Sequence, residues 1–231
     1  MKKRLDLTPY TVENAHLTAP CTLALVTDMH NCKAEPVLDI IDEIHPTAIV
    51  IAGDQMSNME HHSSHAMFFL REAAKRYPVF YGLGNHEKLL HENDLEQIRA
   101  TGVTLLCSEF VHFGELCIGA LEPEIGDSGE NHTFLEAFCK EDGYRVLISH
   151  RPEWYRAFLW QYEIPLILSG HAHGGQIRFF GHPVYSPGQG LFPKYAQGMH
   201  EGRLIVSRGL GNHTIVPRIG NTPELCMVTI R

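Results

Sequence analysis

The sequence predicts one α/β domain with packed sheets, and three observations carry that expectation. Short, β-branched-rich apolar runs of strand length recur along the whole chain. Helical patterns lie between the early runs, so the first half alternates strand and helix, as βαβ units do. After residue 170 the chain becomes strand-rich and glycine-rich, without an internal repeat or a linker.

Taken in order, "CTLALVTD" (21–28) is the first buried strand, apolar on both faces. "EPVLDIIDEIH" follows and puts Val37, Ile40, Ile41 and Ile44 on one helical face. The strand "TAIVIAGD" (47–54), the helix "SHAMFFLREAAKRY" (64–77) and the strand "YPVFYGLGN" (77–85) repeat the unit. "NDLEQIRATG" reads as a helix ending at Gly102. "GVTLL" and "ELCIGAL" are strands, and "HTFLEAFCKEDG" is a helix with a glycine stop. "YRVLISH" and "IPLILSG" are strands on either side of "PEWYRAFLWQY", a helix opened by Pro152. "RLIVSRGLG" and "ELCMVTI" complete the set, and the whole chain, 1–231, is expected to be one domain.

Composition narrows the function. A formal charge of −8 and the lack of basic runs argue against a nucleic-acid surface. No apolar h-region follows the basic start "MKKR", so a cytoplasmic chain is expected, with peripheral membrane contact still compatible. The six cysteines (21, 32, 107, 117, 139 and 226) include no C-x-x-C and read as buried thiols in a reducing compartment. Cys32, close to Asp28, is expected to back a site rather than bind in it. Sixteen histidines in 231 residues exceed what a core needs.

The polar residues gather just after the strands. "LALV" runs into Asp28 and His30, "AIVIA" into Asp54, and "VFYGL" into Asn85 and His86. "VLI" runs into His150, and "LIL" into His171 and His173. Ligands of open α/β sheets bind outside the carboxyl ends of strands, so these residues converge. Asp28, His30, Asp54, Asn85, His150, His171 and His173 are N and O donors without a thiolate. They exceed one tetrahedral zinc and suit two divalent metals sharing a carboxylate, with manganese, iron or zinc all accommodated. In extended backbone, alternate side chains point the same way, so Asp28 with His30, and His171 with His173, are expected to reach one site together.

The ordered set "DMH…GD…GNHE…SH…GHAH" resembles the calcineurin-like metallophosphoesterase superfamily. "SGHAHGGQI", "KYAQGM", "LIVSRGLG" and "PRIGNTPEL" are similar to its prokaryotic membrane-associated branch of the YkuE and YaeI type. The resemblance implies a four-layer α/β/β/α sandwich, two mixed sheets flanked by helices, with a dinuclear site at the strand ends. It implies that Asp28, His30 and His173 hold one metal, that Asn85, His150 and His171 hold the other, and that Asp54 bridges. His86 would be the acid that protonates the leaving oxygen, or a donor to the phosphate. Met29 and Ala172 stand where Leu and Thr are commoner, and Glu87 where Asp is frequent.

The implied activity is hydrolysis of a phosphodiester or pyrophosphate by a water shared between the metals, on a small-molecule, lipid-linked or nucleotide-linked phosphate. A phosphomonoesterase and a non-catalytic metal-binding scaffold are the alternatives. "EHHSSHAM" (60–67) is expected to be a solvated loop entering a helix, and the other histidines to be ordinary. The aromatic segment 177–199 is expected to fold onto the second sheet, the alternative being a cap for an apolar substrate or a membrane surface.

Overall fold

A computed structural model describes residues 5–13, 17–57, 64–212 and 216–231. Two six-stranded mixed sheets pack face to face. The first comprises β1 (Asp6–Val12), β2 (Cys21–Val26), β3 (Ala48–Ala52), β4 (Val79–Gly82), β5 (Thr104–Leu106) and β16 (Glu224–Ile230), in the order β1-β16-β2-β3-β4-β5. The second comprises β6 (Glu109–Phe113), β7 (Leu116–Ala120), β8 (Tyr144–Ile148), β9 (Leu166–Ser169), β14 (Gly198–His200) and β15 (Leu204–Val206), in the order β14-β15-β9-β8-β7-β6. Two short hairpins, β10 (Arg178–Phe179) with β11 (His182–Pro183) and β12 (Tyr185–Ser186) with β13 (Gly190–Leu191), lie between β9 and β14 in sequence.

The continuous apolar runs are explained by burial on both faces. Ala24 and Val26 of β2, with Ile49 and Ile51 of β3, face α1 (Glu35–Ile44), α2 (Ser64–Ala74) and α3 (Glu92–Arg99). Leu23, Leu25 and Val50 face inward and meet Ile118, Val146, Ile148 and Leu168 of the second sheet. Leu147 and Ile167, on that sheet's outer face, pack against Phe134, Leu135 and Phe138 of α4 (Gly129–Phe138) and Trp154 of α5 (Trp154–Ala157). The layers are therefore helix, sheet, sheet, helix, as expected.

Two local expectations are corrected, and two strands are added. The continuous helix over 152–162 breaks at Phe158 (φ −151°) into α5 and a single 3₁₀ turn, Leu159–Gln161. The Arg203 guanidinium donates to the carbonyls of Trp160 and Tyr162 (both 2.7 Å), which satisfies them outside a continued helix. Strands β1 and β6 had no expectation, because both are edge strands whose side chains are partly exposed, and β1 carries Pro9. The aromatic segment folds onto the second sheet only at its end, where Tyr195 and Ala196 pack into the outer core and β14 joins the sheet, whereas Phe179, Phe180, Tyr185, Leu191 and Phe192 are all exposed.

The helix expected after "EHHS" begins at Ser64, whereas His61 and His62, like His16 and His213, lie outside the described residues. Several remaining histidines have definite partners. His132 lies between the Tyr162 hydroxyl and Asp127 (2.6 Å), and His112 meets Glu141 (3.0 Å).

Candidate metal centre

Strands β2, β3 and β4 of one sheet and β8 and β9 of the other release their chains at one edge of the sandwich, and all eight residues singled out above meet there. Asp54, following β3, is the hub. Its Oδ2 lies 3.2 Å from His150 Nε2, 3.8 Å from His86 Nε2 and 3.9 Å from His30 Nε2. On one side, His173 Nε2 is 3.5 Å from Asp28 Oδ1 and 3.3 Å from His30 Nε2. On the other, Asn85 Oδ1 is 3.2 Å from His150 Nε2, whose ring lies 5.1 Å from that of His171. Two trios, Asp28–His30–His173 and Asp54–His150–His171, bring their donor atoms within 4.8 Å of one another and could each hold a cation. A third, His30–Asp54–His86, joins them.

The backbone that achieves this is not extended, contrary to the alternation expected from the sequence. Asp28 (φ 49°), His30 (φ 45°), Asp54 (φ 53°), His171 (φ 62°) and His173 (φ 47°) are all left-handed. Such residues cost on the order of 1–3 kcal/mol each and persist where their surroundings over-determine them. Here the surroundings are explicit. Both Asp28 carboxylate oxygens accept from His171 N–H (3.1 Å), and Asp54 Oδ1 accepts from His86 N–H (2.9 Å). Gly84 packs so tightly on the Asp54 carboxylate that any side chain there would collide with it. Ala172 points away from the centre into the outer core, as expected.

Glu87 is the residue whose importance the sequence did not reveal. Its buried carboxylate accepts from the N–H groups of Asp54 (2.9 Å), Met56 (3.0 Å) and Gly84 (2.7 Å) and from the Tyr81 hydroxyl (2.8 Å). It thereby ties the Asp54 loop to the Asn85–His86 loop. Glu87→Ala would orphan four buried donors and is expected to cost about 3 kcal/mol or more, read as a loss in denaturant midpoint at unchanged m-value. Two arginines were also not anticipated. Arg151 Nη1 lies 3.3 Å from His171 Nε2, and Arg218 Nη2 lies 3.3 Å from His173 Nδ1. Arg218 also donates to Gly211 O, and Gly211 N–H donates to Asp28 O (2.7 Å), so it braces the Asp28 loop. Arg151 directly follows "SH" and Arg218 lies within "PRIGNTPEL", but nothing in sequence says which way a guanidinium turns. Cys32 is partly buried and packs against the helical core.

The electrostatics suit metal ions. Burial, reinforced by Asp54, raises the Asp28 carboxyl to about 7. Burial opposes ionisation of Asp54 as well, but His150 outweighs it and holds Asp54 ionised. Burial lowers His150, yet Asp54 overrides that and raises it to about 10. His150 Nδ1 donates to Ala52 O (2.8 Å), so once deprotonated the ring presents the Nε2 lone pair to the centre. Burial, helped by neighbouring cations, keeps His171 and His173 well below the usual imidazole range, in the ligating neutral form. Two buried carboxylates, neutral imidazoles and an amide oxygen without a thiolate fit hard or borderline divalent ions.

A pH dependence follows. Asp28 and His150 must shed their protons to a metal, so apparent manganese affinity should rise with pH, about tenfold per unit for each proton displaced. Calorimetry in buffers of different ionisation enthalpy would count the protons. In the chelated protein, His150 stabilises fully below its ordinary value near 6.5, and that contribution is lost as pH climbs towards about 10. Asp28, also raised, loses stability between about 3.8 and about 7. The depressed His171 and His173 act in the opposite sense below about 6.5, so the clear expectation is a melting temperature of chelated protein that falls as pH rises from about 6.5 towards about 10.

Comparison with known proteins agrees with this centre. The calcineurin-like phosphoesterase family profile matches residues 21–175, which span every residue of the cluster. An uncharacterised metallophosphoesterase of Aquifex aeolicus is 26% identical over 98% of this chain and 92% of its own. The uncharacterised protein YpbG of Bacillus subtilis is 27% identical over 91% of this chain and 81% of its own. The crystal structure of TT1561 from Thermus thermophilus shares the fold with a TM-score of 0.51 at 14% identity, over 66% of this chain and 82% of that one. With two packed sheets, donors gathered at their strand ends and a family match over two thirds of its length, the chain belongs to the calcineurin-like phosphoesterases and is a metal-dependent phosphoric ester hydrolase.

Proposed function

We propose that residues 1–231 form one domain that hydrolyses a phosphodiester or pyrophosphate bond of a lipid- or nucleotide-linked substrate, in the cytoplasm, with two divalent metals. The observation that carries this reading is the position of Asp54, whose single oxygen Oδ2 faces imidazoles of both trios. In this reading Asp28, His30 and His173 hold one ion, and Asn85, His150 and His171 hold the other. Asp54 is shared, because a carboxylate has lone pairs for both. When bound, the ions neutralise phosphate charge and lower the pKa of water.

The remaining steps belong to the protein. Asn85 contributes a neutral oxygen, which limits negative charge against an anionic substrate. The glycine-packed carboxylates and the Nδ1–H of His150 hold their donors before substrate arrives. His86 has an imidazole 12% exposed, the most open of the Asp54 partners, which supports its role as the acid that protonates the leaving oxygen.

The test is hydrolysis of bis(p-nitrophenyl) phosphate and p-nitrophenyl phosphate by manganese-reconstituted protein, beside His171→Ala. Diester turnover that disappears with chelator and in the variant is the expected result. Turnover of the monoester alone would replace this reading with a phosphomonoesterase. Two bound metals with no turnover of either ester would point to a scaffold.

A further inference from the structure

The metal centre leaves one large surface feature unexplained, the paired hairpins that follow the His173 loop. Phe180 is 89% exposed and Phe192 is 77% exposed. Both also have left-handed backbone, at φ 49° and 52°. Phe179 pairs with His182, so Phe180 and Gly181 (φ 82°) are the two central residues of a tight hairpin turn with positive φ at both. Asparagine is favoured at the first such position, and a bulky side chain is an outlier there. Two phenylalanines thus bear backbone strain and water contact together. Strain of this kind points to function.

Between the hairpins lies a groove of about 450 Å³, walled by Phe179, Phe180, Val184, Phe192 and Pro193. Among the described residues, only His182 brings a titratable group to it. The groove is built onto the centre itself. Pro183 fills the space where a side chain at Gly175 would stand, two residues after His173. Arg178 Nη1 donates to Gly174 O (3.0 Å), and Gly188 packs against the Glu153 carboxylate, which is 3.8 Å from His171. A sugar or base would need polar partners that these walls lack, whereas a hydrocarbon needs none.

We propose that this groove binds a hydrocarbon chain carried by the substrate while its phosphate occupies the Asp54-centred site. The proposal rests on the phosphoesterase reading and deepens it, selecting a lipid-like substrate over a nucleotide. It predicts that affinity grows with chain length at constant head group. Each fully buried methylene is worth about a factor of four.

The experiment is calorimetric titration of manganese-reconstituted protein with methylphosphonate and with hexylphosphonate. Hexylphosphonate should bind at least about 50-fold more tightly, the effect of some three buried methylenes. In Phe180→Ser/Phe192→Ser that ratio should fall below about threefold. The ratio is internal, since loss of folding or of metals weakens both ligands alike. Methylphosphonate binding with a ratio near one in the parent protein would overturn the groove and leave the phosphoesterase reading standing. A large ratio that survives in the double variant would place the chain elsewhere and overturn it too. A ratio near one together with phenylalanine-dependent sedimentation on phosphatidylcholine–phosphatidylglycerol vesicles would make the hairpins a bilayer contact instead. Failure of methylphosphonate to bind at all would remove the groove proposal together with the reading beneath it.

Discussion

Asp54→Asn is expected to reduce diester turnover by about 10³-fold or more and to leave no more than one metal per chain. The amide keeps the shape of the carboxylate but removes the negative charge that holds His150 and faces both trios. Losing one ion forfeits several kcal/mol of charge stabilisation in the transition state, and each 1.36 kcal/mol is about tenfold in rate. Metal content by plasma emission, measured beside kcat/KM, checks both parts. A variant that retains two metals and works within tenfold of the parent would remove Asp54 from the shared position. Because Glu87 and Gly84 secure the loop independently of the Asp54 charge, the variant should still fold.

His86→Ala is the complementary case, with turnover falling about 10²–10⁴-fold while both metals stay. His86 approaches Asp54 only to 3.8 Å, whereas His150 comes to 3.2 Å. Its ring also sits edge-on to His30, with centroids 4.6 Å apart. The loss should be smaller for a substrate with a good leaving group, such as p-nitrophenolate, than for one with an alkoxide, since only the latter needs a proton. An equal loss for both leaving groups, or metal lost in parallel with activity, would assign His86 to the third trio as a metal holder.

Much of the site was legible because its chemistry is carried by residue type at strand ends. Asp28, Asp54, Asn85 and His150 each follow an apolar run, and a buried parallel strand can only release its chain at the sheet edge. The layers were legible for the same reason: strands apolar at every position must be covered on both faces. Strands β1 and β6 were not, since their side chains are partly exposed and polar residues interrupt any apolar run. The broken helix after Pro152 was hidden because the Arg203 guanidinium that satisfies its carbonyls lies about forty residues away in sequence.

What this sequence determined by itself is the inventory and the order: which side chains could bind metal, and that five strands would deliver them. What only the tertiary structure decided is how they meet. Left-handed backbone at Asp28, His30, Asp54, His171 and His173 is unfavourable in any isolated segment. It is held by contacts between segments distant in sequence, such as Glu87 on the Asp54 amide and Asp28 on the His171 amide. The same applies to Phe180 and Phe192, whose composition suggested burial and whose turns put them in water. Local preference is a sum over near neighbours, whereas these conformations are set by hydrogen bonds and packing that exist only once both sheets are in place.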